Sequence, residues 1–198
     1  MGDLPTKSSQ FIPIIVVAVL SLVAYTLPTY VTEYLDFTRQ GIAQHQWWRL
    51  LSAHFLHTNT YHLAVNLAGL FLLWLLHGEY YRARNYLAVF VITSLFVSIL
   101  VWLASPHLNA YVGLSGVLHG VFAWGIIQDF KHKRVSAYLL LAGLIIKLID
   151  ERFFSTNDFM ANLIGASVAI DAHLYGATAG IMLGVLLPSV RLHKPSTI

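Results

Sequence analysis

Apolar runs, each closed by a charge, a glycine or a proline, recur from one end of this chain to the other, with more apolar length than a soluble core of 198 residues buries. A mean hydropathy of +0.66, with 57% apolar and 11% charged residues, places it among integral membrane proteins. Hydrocarbon offers no water to the backbone, so such runs are read as helices. They extend from about Phe11 to Leu27, Tyr61 to Leu76, Tyr86 to Ala104, Gly113 to Lys131, Ala137 to Ile149 and Ala172 to Val190. The fifth is short against a span of about 20 residues. The expected fold is an all-α membrane protein, a bundle of six transmembrane helices forming a single domain over 1–198, with tails 1–10 and 191–198. The first run has no small-x-small cleavage site and only Lys7 as a basic flank, so it is read as a retained helix rather than a signal peptide. Thr29 to Thr60 is mixed in composition and carries Trp47-Trp48, which suits the membrane interface.

The charges orient the bundle. With both termini cytoplasmic, Lys7, Arg82, Arg84, Lys131, Lys133, Arg134, Arg191 and Lys194 lie inside, and only Arg39, Arg49 and Arg152 lie outside. This topology accounts for the net charge of +3 without nucleic acid as a partner. It also brings three polar clusters, around His62, Ser115 and His173, to the outer side. The chain has no cysteine, so any nucleophile is an oxygen or a nitrogen.

The stretch Gly113-Leu114-Ser115-Gly116-Val117-Leu118-His119-Gly120 exposes one serine between small residues at the head of an apolar helix. In the sixth run, His173, Gly176, Gly180 and Gly184 share one stripe, and small-residue stripes let membrane helices approach closely. If that stripe meets Gly116 and Gly120, His173 arrives beside Ser115, where a neutral imidazole can take the hydroxyl proton and later return it to a leaving amine. His62 and Asn66, four apart on one helical face, can donate hydrogen bonds to an oxyanion.

In these motifs the chain resembles the rhomboid intramembrane serine proteases, from Trp48-Arg49 to Gly184. Gly113-Leu114-Ser115-Gly116 matches their GxSG motif, Ala172-His173 with Gly176 and Gly180 their sixth-helix motif, and His62 with Asn66 their second-helix motif. Trp48-Arg49 resembles the first-loop signature, and His57 also fits. The resemblance implies a dyad of Ser115 as nucleophile and His173 as base, with no third carboxylate, and an oxyanion hole formed by His62, Asn66 and the Ser115 N–H. Gly113, Gly116, His119 and His57 would support it, with no cofactor and no metal. Many rhomboids have tyrosine where this chain has His119. The Ser-Gly-x-x-His-Gly string and short chain look like the rhombosortase branch. That branch implies cleavage of a C-terminal Gly-Gly type sorting tail, within the transmembrane segment of a membrane-anchored exported protein, at the outer face of a bacterial inner membrane.

Other readings of the same residues compete. His119 can be a packing ring under His173, a substitute base or a specificity element, of which packing is favoured. His57 reads as structural, and His45 and His54 as loop or surface residues. Asp171 could orient His173 as in a triad, but its place at the helix entrance argues against that role. Lys147, Asp150 and Glu151 read as an interfacial ion pair. His54, His57 and His62 are close enough to suggest a metal, yet no His-Glu-x-x-His string occurs. An inactive rhomboid-like binding or quality-control module would be expected to lack one of Ser115, His173, His62 and Asn66. A small transporter would use intramembrane His and Asn to line a path, but no inverted repeat is evident. The protease reading predicts activity lost on acidification, and a flat profile from about pH 5 to 8 would count against it.

Overall fold

The computed structural model describes residues 5–154 and 158–190. The expected tail 191–198 and residues 1–4 lie outside these. In chain order the elements are α1 (Ser8–Tyr25), α2 (Thr29–Leu35), β1 (Phe37–Thr38), α3 (Arg39–Ala43), α4 (Arg49–Ser52), a 3-10 turn (Ala53–Phe55) and α5 (Thr60–His77). A second 3-10 turn (Gly78–Tyr80), α6 (Ala83–Ala104), β2 (Ala110–Tyr111), α7 (Ser115–Lys131), α8 (Ser136–Phe153), α9 (Asp158–Ile164) and α10 (Ile170–Leu186) complete them.

The protein is an all-α membrane protein. Among the described residues, three helices are long and apolar enough to cross a bilayer: α1, α5 with its 3-10 extension to Tyr80, and α6. α10 is apolar but shorter. Several boundaries differ from those expected. α1 starts at Ser8, inside the expected tail 1–10. α10 stops at Leu186 rather than Val190, because Leu187 precedes Pro188 and takes an extended conformation. α8 is longer than its apolar stretch: its 18 residues run on through Asp150, Glu151 and Arg152.

α7 is the axis of the bundle. It packs against α5, α6, α8 and α10, and it is buried on most of its surface. Its closest neighbour is α10, because glycines face glycines. A Cβ at Gly176 would fall on the Gly116 carbonyl oxygen, and one at Gly180 on the Gly120 carbonyl oxygen. The same stripe brings His173, one turn above Gly176, to the N-terminal end of α7.

The mixed segment before α5 folds into a buttress for the loop that precedes α7. β1 pairs antiparallel with β2, with Phe37 opposite Tyr111. Arg49 is its hub: its Nη1 donates to the Glu33 carbonyl at 2.8 Å and to Asp36 Oδ1 at 2.6 Å, and its Nε to Gln46 Oε1 at 2.6 Å. Trp48 donates from Nε1 to the Tyr34 carbonyl at 2.9 Å. Arg39 caps α6, its Nη1 donating to the Val101 carbonyl at 3.1 Å. At the opposite end, Tyr80 donates to Asp129 Oδ1 at 2.7 Å, and Lys131 donates to the Leu187 carbonyl at the end of α10.

Candidate active site

Ser115 is the first residue of α7. A helix start leaves backbone N–H groups without intrahelical partners, so the serine sits beside backbone donors. The loop that delivers it is pinned from two sides. Gly113 N–H donates to the Ala53 carbonyl at 3.1 Å, and Tyr111 OH donates to the Gly113 carbonyl at 2.8 Å. Gly113 has φ +121°, which side chains rarely tolerate, and a Cβ there would lie 2.6 Å from His62 Nε2 and 3.8 Å from Asn66 Nδ2. The glycine therefore supplies the turn and also the room in which two α5 side chains face the serine loop.

His54 belongs to this support and is not a surface residue. It is fully buried, with Nε2 3.0 Å from both the Ser94 carbonyl and Ser98 Oγ on α6, and Nδ1 3.5 Å from Tyr111 OH. Burial holds its pKa down at about 4. His57 lies beside this support. Its Nδ1 is 3.1 Å from the Phe55 carbonyl, and its ring meets His62 edge-on at 5.0 Å. Burial first, and then the neighbouring His62, lower its pKa to about 4. His45 lies exposed in a loop with φ 66°.

His173, near the start of α10, is buried, and its Nε2 is 2.9 Å from Ser115 Oγ. His119, one turn along α7 from Ser115, stacks under it with centroids 4.2 Å apart and planes 15° apart. Its Nδ1 is 2.8 Å from the Ser115 carbonyl oxygen. The two rings thus pack face to face. Asn66 donates from Nδ2 to the His62 carbonyl at 3.1 Å, which leaves its second N–H free. Asn59 caps α5 by accepting from His62 N–H at 2.8 Å, and it donates to the Leu163 carbonyl at 3.0 Å, so α9 is tied over the start of α5.

Of the two carboxylates near the imidazole, Asp171 behaves as the sequence suggests and Glu151 does not. Asp171 faces away from the imidazole: it accepts from Ser105 Oγ at 2.5 Å and lies 3.4 Å from Arg152 Nη1 and from His107 Nε2. Glu151 does form the expected ion pair, with Lys147 Nζ 2.7 Å from its Oε1. Its Oε2, however, is 2.9 Å from His173 Nδ1, a third group where a two-residue dyad was implied. Donor atoms of His119, Glu151 and His173 lie within 4.8 Å of one another. Nearly parallel imidazole planes direct their lone pairs side by side, so these rings do not converge on a tetrahedral ion.

Two openings reach Ser115. One is a cavity of about 270 Å³ lined by Thr58, His62, Tyr111 and the loop 166–169. The other is an apolar groove of about 290 Å³ between α5 and α7, lined by Asn66, Gly69, Leu72, Leu118, His119 and Phe122. A hydroxyl, an imidazole and side-chain donors between a cavity of mixed polarity and an apolar groove can support acyl transfer on a substrate held partly in lipid.

The Rhomboid domain profile matches residues 44–190. The chain belongs to the rhomboid family. This rhomboid is 26% identical over 147 residues to Rhomboid-like protein 11, chloroplastic, of Arabidopsis thaliana, a match that covers 71% of this chain and 52% of that protein. It is 24% identical over 147 residues to the putative rhomboid protease YdcA of Bacillus subtilis, covering 74% of this chain and 70% of that one. The chain thus spans about half the length of the plant relative. Rhomboids are generally intramembrane serine proteases that act on membrane-protein substrates in the bilayer.

Proposed function

We propose that this rhomboid is an intramembrane serine endopeptidase with Ser115 as nucleophile and His173 as base. The observation that carries the reading is the 2.9 Å contact of His173 Nε2 with Ser115 Oγ, at a place reached from both a cavity of mixed polarity and an apolar groove. The hydroxyl proton moves to Nε2 as Oγ attacks the scissile carbonyl carbon. The resulting oxyanion accepts from the free Asn66 N–H, from His62 Nε2 and from the Ser115 backbone N–H. When the C–N bond breaks, His173 returns the proton to the leaving amine. Water entering through the outer cavity then gives a proton to His173 as it attacks the ester carbonyl, and His173 passes that proton to Oγ as the ester bond breaks, regenerating Ser115.

The proposed setting is a bacterial inner membrane crossed six times, with both termini cytoplasmic and the site on the outer side, as the distribution of Lys and Arg supports. The whole of 1–198 is proposed as one domain. The substrate is a membrane-anchored exported protein whose C-terminal transmembrane segment carries a Gly-Gly sorting tail, because glycines loosen a helix enough to present its carbonyl. The rhombosortase-like Ser-Gly-x-x-His-Gly string supports this choice.

The test is to offer such a substrate, and one with its Gly-Gly pair changed to Leu-Leu, to wild type and to Ser115→Ala in detergent, reading the products by intact mass. The proposal expects a truncated product ending in a free carboxyl group, formed by wild type alone and only from the Gly-Gly substrate. Equal products from wild type and Ser115→Ala would refute the serine mechanism; equal cutting of both substrates would refute the tail preference.

A further inference from the structure

α8 turns few side chains inward: Ala137, Leu144 and Glu151 are its buried residues, while Tyr138, Leu139, Ile145, Ile146 and Ile149 are exposed. A carboxylate on such a helix would be expected to reach for water or lipid headgroups. Glu151 does the opposite. Its side chain is 3% exposed, whereas that of its partner Lys147 is 54% exposed. An i, i+4 ion pair could form on the surface of the helix without burying either oxygen. The inward turn of Oε2 serves its contact with His173.

We infer that Glu151 is a positioning residue for His173, making the catalytic unit a Ser-His-Glu relay; this rests on the serine-protease reading and deepens it. A carboxylate only accepts, so the imidazole proton stays on Nδ1, and Nε2 presents its lone pair to Ser115 Oγ. When the serine proton arrives at Nε2, both ring nitrogens carry hydrogen, and the anionic Glu151 offsets the new charge without taking a proton itself. Lys147 occupies Oε1 and leaves Oε2 for the ring. The other charged and titratable groups around the pair are committed elsewhere. His119 lies flat beneath His173 with its Nδ1 on the Ser115 carbonyl, and Asp171 is held by Ser105, Arg152 and His107. His62 faces Gly113. Because Glu151 comes from α8, the relay is complete only while α8 is seated on α10, where the Arg152–Asp171 contact adds a second tie.

The experiment uses the full chain in detergent micelles or proteoliposomes. Glu151→Gln, which keeps size but not charge, is expected to lower kcat about a hundredfold or more with KM within about twofold. Lys147→Gln breaks the same ion pair but leaves Oε2 against the ring, so its kcat is expected to stay within about fivefold of wild type. Independently of turnover, 15N-histidine NMR is expected to show a low-field Nδ1–H resonance in wild type that is absent from His173→Ala and shifted or lost in Glu151→Gln. Equal losses of kcat in the Glu151 and Lys147 variants, or a resonance indifferent to Glu151→Gln, would overturn the inference. Cleavage retained by Ser115→Ala would instead overturn the serine reading on which it rests.

Discussion

At the scale of single residues, the site depends on atoms that are missing as much as on those present. Gly113→Ala puts a methyl group 2.6 Å from His62 Nε2 at φ +121°, displacing the proposed oxyanion donor. The loss of one such donor costs about 2.7–4 kcal/mol in barrier, so kcat is expected to fall about a hundredfold or more in a turnover assay. His54 gives a pH signature of a different kind. In the native protein its pKa is held at about 4, while in the unfolded chain it protonates near the ordinary value of 6.5, so the unfolded state binds more protons between these limits. Stability is therefore full above about 6.5 and falls as pH drops toward 4. Thermal midpoints measured across that window should decline in wild type and decline less steeply in His54→Gln, which starts from a lower midpoint at pH 7. Residues of this sort divide by how far their partners lie along the chain. Ser115, Asn66 and His173 were legible because each sits in a short pattern of small residues or helical spacing that states its own geometry. Nothing near His54 in the sequence announces Ser94 and Ser98, and Lys147, four residues away, gave Glu151 a sufficient explanation that concealed its second contact.

At the scale of elements, the approach of α7 to α10 sets the distance between Ser115 and His173. Gly180 lies two turns from His173, and a side chain there meets the Gly120 backbone, which cannot yield as a flexible side chain can. Gly180→Val is expected to force the helices apart, lowering the thermal midpoint and abolishing cleavage. A normally active, equally stable variant would mean that the close approach does not hold the site. This contact was legible as two facing glycine stripes. The pairing of β1 with β2 was not, since two residues are too few to show alternation. The full length of α8 was hidden for the opposite reason: its last turns carry the charges that normally mark the end of a span.

At the scale of the whole molecule, the account requires a bundle whose outer end holds the chemistry and whose inner end holds the basic residues. The absence of cysteine makes topology directly measurable. His107 and Lys133 are both exposed, the first near the serine end of α7 and the second past its other end. In intact cells, His107→Cys should react with a membrane-impermeant maleimide, and Lys133→Cys should react only after the membrane is opened. The reverse pattern would place the site in the cytoplasm.

The most direct measurement concerns the pair at the centre of that arrangement. Purified protein would be treated with a small fluorophosphonate, digested, and the adduct located by mass spectrometry, in wild type and in His173→Ala. A hydroxyl activated by the imidazole 2.9 Å away predicts a single adduct on Ser115 that forms at least a hundredfold more slowly without His173. No adduct on Ser115, or one formed equally fast in both proteins, would contradict the account.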